Sequence, residues 1–290
     1  MKMMYINKIE AKLKRYQSLK SRRTTAQVLD GSYKSIHKGR SMNFDELREY
    51  VQGDDIKDID WKATARSQKI LVRQYIADRK HSILLVFDSN MRMLGHSDGL
   101  EEKRELAIMA GGTLAYFVNK TGDYVASVFQ TEDKVKYFPF KTGLGNIELI
   151  LQSYFRSVTE NNKTDLNKTF DYIIKNFKRK MIVLVLTDSK GISSISDVNL
   201  KRMITAHDVL FLNISDAHID GKRATDIGKG QVIPDYFLKS KKLANRHMEA
   251  TNALLKQSTE RLKHFGVACA TVDYVDEIDR EIINLLKFRK

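Results

Sequence analysis

Two runs, SILLVFD (82–88) and MIVLVLTD (181–188), decide how this chain folds. Each is an unbroken apolar stretch of strand length that ends on an aspartate. A strand with one wet face alternates apolar and polar residues, whereas a strand covered on both faces reads as a continuous apolar run. Working outward, residues 99–118 read as a helix. DYVASVFQ (123–130) and KVKYFPF (134–140) read as two strands close enough for a hairpin. Helices follow at 145–158 and 164–177, then a short one at 197–205. After strand DVLFLNIS (208–215) come a long helix at 240–265, strand GVACATVD (266–273) and a closing helix. Strands alternating with helices from about residue 80 onward predict an α/β fold: a doubly wound, mostly parallel sheet with helices on both faces. Ligands of such sheets bind beyond the carboxyl ends of the strands, where the strand order reverses. If the two strands are neighbours, Asp88 and Asp188 face one crevice.

Residues 1–80 read differently. Ile6, Ile9, Leu13 and Tyr16 form one apolar stripe of an amphipathic helix over residues 5–20, suited to packing on its own domain or a partner, or to lying on a membrane surface. GSYKSIHKGR (31–40) is turn-rich, FDELREY (44–50) reads as a helical turn and ILVRQY (70–75) as a strand. The expected division is therefore a basic helical arm at 1–30, a small segment at 31–80 packing on the main domain, and the α/β domain at 81–290.

Charge follows that division. The 290 residues carry a net +14, and residues 1–40 hold eleven Lys and Arg against Glu10 and Asp30, so the arm supplies most of the excess. A localised basic segment suits an anionic partner, and residues 1–23 would present it to an acidic membrane surface. Nucleic acid is the poorer fit, because only Tyr5, Tyr16 and Tyr33 are available for stacking. No stretch reaches the roughly 20 apolar residues needed to cross a bilayer, and the N-terminus has no continuous apolar core of a signal peptide. The single cysteine, Cys269, lies in the apolar run GVACATV and reads as a buried strand residue. These features predict a cytoplasmic protein, with peripheral membrane attachment through the arm as the alternative.

Gly39, Phe44, Asp45, Arg48, Tyr50, Gly53, Asp54, Asp55, Ile59, Asp60, Trp61, Thr64, Ala65 and Arg66 fall in a dense pattern across residues 31–92. This pattern closely resembles the bacterial domain-of-unknown-function-58 proteins, and the likeness continues more loosely to about residue 215. Those proteins are similar in their second part to von Willebrand factor A domains. The resemblance therefore implies a metal-ion-dependent adhesion site at Asp88, Asn90, Arg92, Thr164 and Asp188. Asp88, Thr164 and Asp188 fit that site, while Asn90 and Arg92 stand where it has two serines. Asn90 still offers an oxygen, but a guanidinium only donates. The resemblance also implies a partner, an AAA+ ATPase of the MoxR type, in the remodelling or maturation of other proteins.

Other chemistry finds little support. Asp54, Asp55, Asp58 and Asp60 do not follow the calcium-loop spacing. With Arg48, Arg66 and Arg73 nearby, they suggest a structural ion-pair network, with Trp61 as its packing anchor. The seven histidines form no H-E-x-x-H and no Cys/His cluster. There is no phosphate-binding G-x-x-x-x-G-K-[ST] and no G-x-S-x-G elbow. Three functions remain in view: a non-enzymatic protein-interaction module at the strand-end crevice, a metal-dependent hydrolase using Asp88 and Asp188, and a nucleic-acid binder using the arm. The first is favoured. No tight metal is expected, because Arg92 can pair with Asp88 or Asp188 in the cation's place; Mg²⁺ or Mn²⁺ on Asp88, Asn90, Thr164 and Asp188 is the alternative.

Overall fold

The two apolar runs lie side by side at the centre of a six-stranded sheet. The protein is described by a computed structural model covering residues 3–19, 44–51, 56–67, 69–75, 82–132, 134–217, 225–226, 231–232 and 241–287. In chain order its elements are α1 (Met4–Leu19), β1 (Phe44–Glu49), α2 (Trp61–Ser67), β2 (Leu71–Tyr75), β3 (Ser82–Phe87), α3 (Lys103–Lys120), β4 (Tyr124–Gln130), β5 (Val135–Lys141), α4 (Leu144–Ser157), α5 (Leu166–Asn176), β6 (Ile182–Asp188), α6 (Ser189–Ser194), α7 (Asp197–Ala206), β7 (Asp208–Ile214), β8 (Thr225–Asp226), β9 (Gln231–Val232), α8 (Lys241–His264), β10 (Ala268–Val272) and α9 (Ile278–Lys287). Residues 33–80 form one compact unit; residues 1–32 with 81–290 form the other.

In the larger unit the strand order is β10-β7-β6-β3-β4-β5, all parallel except β5, which returns antiparallel to β4. From β3 the chain crosses to β4 on one side, and β6 then pairs on the other side of β3. The order therefore reverses between β3 and β6, and Asp88 and Asp188 end those two strands. This is the doubly wound, mostly parallel sheet that the strand and helix alternation predicts.

Alternate residues of β3 divide between two cores. Leu84 and Val86, with Val183 and Val185 of β6, pack against Phe170, Ile192, Met203 and Leu262 from α5 to α8. On the other face Phe87 stacks on Tyr154 of α4, ring centroids 4.4 Å apart, and α3 and α9 complete that layer. Fully burying one such side chain stabilises by about 1.5–3 kcal/mol, so a strand with no wet face must be apolar throughout.

Helix α1 belongs to this unit and packs outside α3 and α4. Its stripe residues Ile6, Ile9 and Leu13 are buried; the side chain of Tyr16 lies outside the described residues. The first turn of a helix leaves backbone N–H groups without intrahelical acceptors. Here the carboxylate of Glu148, on α4, accepts from Met4 N at 2.9 Å, Tyr5 N at 3.0 Å and Ile6 N at 2.9 Å. A buried negative charge also complements the positive end of the helix dipole. Farther along, Lys12 Nζ pairs with Asp279 Oδ1 on α9 at 3.0 Å, both side chains buried. Gly112 of α3 permits this closeness: a Cβ there would lie 2.5 Å from Ile9 Cδ1. An apolar stripe committed in this way is not available to a lipid surface.

In the smaller unit, β1 and β2 pair antiparallel, with an irregularity between Phe44 and Glu46. FDELREY is thus largely a strand rather than a helical turn; its hydrogen-bonding partner lies more than twenty residues on, and that pairing overrides the local pattern. Asp60 N donates to Leu71 O at 2.9 Å, and Leu71 N donates to Thr64 Oγ1 at 2.9 Å, which ties α2 to the hairpin. Asp60 Oδ1 accepts from Lys62 N at 3.1 Å and Ala63 N at 3.0 Å, so its carboxylate caps α2. Arg66 is exposed, and no ion pair joins it to a described residue. Trp61 is 64% exposed and is not a packing anchor. Of the expected ion-pair network, Asp60 is seen capping α2 and Arg66 is exposed. Tyr50 is half-buried and its N–H donates to Ile70 O. Phe44, Asp45 and Arg48 lie on β1, their side chains outside the described set, as are those of Asp58 and Arg73; Gly39, Gly53, Asp54, Asp55 and the turn-rich 31–40 also lie outside the described residues. No helix of the described residues is long and apolar enough to cross a membrane.

Candidate functional site

The crevice begins with two strand ends. Asp88 follows β3 and Asp188 ends β6, and their side chains are 1% and 0% exposed. Asp188 also caps the short α6, accepting from Gly191 N at 2.7 Å through Oδ1. This cap brings backbone very close to the acids: a Cβ on Gly191 would sit 1.9 Å from Thr187 Oγ1 and 2.7 Å from Asp88 Oδ2. Only glycine fits such an approach.

Asp88 is held from several sides. Its Oδ1 accepts from Asn90 N at 3.0 Å and from the Thr164 hydroxyl at 3.5 Å. Its Oδ2 accepts from the Thr187 hydroxyl at 2.7 Å. Its backbone carbonyl accepts from the Tyr154 hydroxyl at 2.8 Å. Asn90 is committed as well. Its Oδ1 accepts from Arg92 N at 3.1 Å, capping the turn Met91–Leu94, and its Nδ2 donates to Thr164 O at 3.0 Å.

Arg92 then bridges the two acids. Nη2 donates to Asp88 Oδ2 at 3.0 Å, and Nε donates to Asp188 Oδ2 at 3.2 Å. A second cation completes the cluster. Lys103, the first residue of α3, donates through Nζ to Asp188 Oδ2 at 2.9 Å and to Asp216 Oδ1 at 2.5 Å, with only 3% of its side chain exposed. A lysine at a helix N-terminus is opposed by the helix dipole, so its position there reflects the acids it serves.

The two aspartates are thereby driven apart electrostatically. Burial pushes the Asp88 carboxyl upward, with Arg92 opposing and the charge of Asp188 adding to the rise. Burial acts on Asp188 in the same direction, but Lys103 and Arg92 together outweigh it and hold this carboxyl well below the usual range. Lys103 is displaced upward: burial favours its neutral form, and Asp188 and Asp216 overcome that.

The structure brings Asp88, Asn90, Arg92, Thr164 and Asp188 together. Sequence reasoning missed Lys103, Thr187, Gly191 and Asp216. Lys103 lies in the charged run EEKRE (101–105), where nothing in the sequence singles it out. Among the described residues no group of three or more His, Cys, Asp or Glu is arranged to hold a metal ion.

An open parallel sheet whose switch-point strand ends on Asp88, with Thr164 and Asp188 brought to it from later segments, defines a von Willebrand factor A-like domain. The chain belongs to the family described as Protein of unknown function DUF58, whose model matches residues 46–222, more than half of the chain. Similar proteins include the uncharacterized protein Rv1480 of Mycobacterium tuberculosis and the uncharacterized protein Mb1516 of Mycobacterium bovis. Each is 27% identical over 192 residues, which cover 65% of this chain and 60% of the relative. Among solved structures, the chain is similar to the conserved hypothetical protein BatB from Bacteroides thetaiotaomicron, at 15% identity and a TM-score of 0.45, covering 71% of this chain and 99% of that one. It is also similar to a von Willebrand factor type A protein from Catenulispora acidiphila, at 12% identity and a TM-score of 0.41, covering 72% of this chain and 42% of that one. Strand order and connectivity, rather than these distant likenesses, define the fold.

Proposed function

We propose that this chain is a non-enzymatic protein-interaction module, and that its partner is an AAA+ ATPase of the MoxR type acting in protein remodelling or maturation. One observation carries the non-enzymatic reading. Both strand-end carboxylates are already engaged by cations of the same chain, Arg92 and Lys103. A general base or nucleophile must be free to reach a substrate atom, and an acid sequestered in this way is not. The partner's class rests on the family resemblance read from residues 31–92. An ATPase partner would supply the nucleotide chemistry for which this sequence has no phosphate-binding loop. The stripe residues Ile6, Ile9 and Leu13 of α1 are engaged inside their own unit, so an anionic membrane surface would be met through exposed residues such as Lys8 and Lys14.

Reconstitution tests this reading. The full chain, mixed with the MoxR-type ATPase of its own host at micromolar concentration, is expected to co-elute with it in at least one nucleotide state. No association with ATP, with ADP or without nucleotide would overturn the partnership. Hydrolytic turnover of peptide or phosphate-ester substrates by the purified chain, lost in Asp88→Asn, would overturn the non-enzymatic reading.

A further inference from the structure

The von Willebrand fold implies a divalent cation at this crevice, and the donor set here does not suit one. A hard cation such as Mg²⁺ needs several free oxygen ligands in near-octahedral array. The four aspartate oxygens instead accept from the Asn90 and Gly191 N–H groups, the Thr164 and Thr187 hydroxyls, Arg92 and Lys103. The Asn90 oxygen, the remaining candidate, is used by Arg92 N.

We infer that Arg92 and Lys103 together replace the divalent cation, making this crevice a metal-independent version of the adhesion site. Two fixed single charges meet the two buried carboxylates that a doubly charged ion would otherwise neutralise. The replacement is shared. Arg92 spans both acids, whereas Lys103 approaches Asp188 from the start of α3 and continues to Asp216 on the segment after β7. The guanidinium keeps its charge at every relevant pH, and Lys103 is held charged by the acids it bridges. The arrangement of β3, β6, α3 and α6 around the crevice is therefore set by the chain itself, and a chelator should not disturb it. Removing Arg92 alone leaves Lys103 on Asp188, so both cations must go before a metal can enter.

Calorimetric titration of the full chain with Mn²⁺ and Mg²⁺ tests this without reference to any partner. Wild type is expected to give no saturable heat up to millimolar metal, and its melting temperature should be the same in Mg²⁺ and in EDTA. Arg92→Ser/Lys103→Met restores a hydroxyl, removes both internal charges and should gain Mn²⁺ affinity by at least about tenfold over wild type. Stoichiometric micromolar binding by wild type, or a melting temperature raised by Mg²⁺, would overturn the inference. So would a double variant that keeps its circular dichroism yet takes up no more Mn²⁺ than wild type. Should the double variant not fold, Arg92→Ser, which keeps Lys103 on Asp188, is expected to show no larger rise in melting temperature with Mn²⁺ than wild type, and a larger rise would overturn the shared replacement.

Discussion

The strand-end crevice and the segment around Asp60 both set aspartates beside basic residues, and they use them in opposite ways. At the crevice, Asp88 and Asp188 are buried and each is met by a cation of the chain. At α2, Asp60 Oδ1 accepts from two backbone N–H groups, Arg66 stands exposed, and Trp61 beside them is mostly in solvent. The contrast teaches that charge density along a sequence does not reveal what a charge is worth. A buried ion pair with one member removed leaves the other uncompensated; a surface cap loses only a hydrogen bond.

Stability measurements sharpen that contrast. Lys103→Met should have the largest effect, about 3–5 kcal/mol in denaturant unfolding, because Asp188 loses its main counter-charge in a dry site. A loss below about 1 kcal/mol would place Lys103 with the surface pairs. Gly191→Ala comes next, at roughly 1–3 kcal/mol, the range expected when an atom is forced into a packed site; its Cβ would have to displace Thr187 and Asp88. Asp60→Ala should cost about 1 kcal/mol, the usual worth of an N-cap. Trp61→Ala should leave the midpoint within about 0.5 kcal/mol, as for exposed positions generally, and a larger loss would restore it as an anchor.

The contrast also has a pH signature. Asp188 is depressed in the folded state, so its contribution is complete above the unfolded carboxylate value of about 3.9 and is lost as pH falls through the lower folded value. The cost of Asp188→Asn, followed by urea unfolding, should therefore be greatest near neutral pH and shrink below about pH 4. A cost that grows on acidification would reverse the assigned shift.

The central strands could be read from sequence because burial on both faces leaves an unambiguous apolar run. The same held for Asp88 and Asp188, which are fixed by where those runs end. Three features depended on partners distant in the chain. β1 becomes a strand by pairing with β2 across more than twenty residues. α1 joins the larger unit through Glu148, more than 140 residues away. Lys103 reaches Asp188 across 85 positions. Local periodicity carries no trace of such contacts. Around Asp60 the described contacts are local backbone ones, the caps to Lys62 N and Ala63 N, while the side chains of Arg48, Asp58 and Arg73 lie outside the described residues.

A double-mutant cycle on Lys103 and Asp188 tests the sealed crevice most directly. Lys103→Met, Asp188→Asn and the double variant would be compared by urea unfolding at neutral pH. Groups in one buried network couple by about 0.5–3 kcal/mol. The double variant should thus be more stable than the sum of the two single losses predicts, since neutralising Asp188 relieves the charge stranded by removing Lys103. Losses that add within about 0.3–0.5 kcal/mol, as for independent sites, would contradict a crevice closed by its own cations.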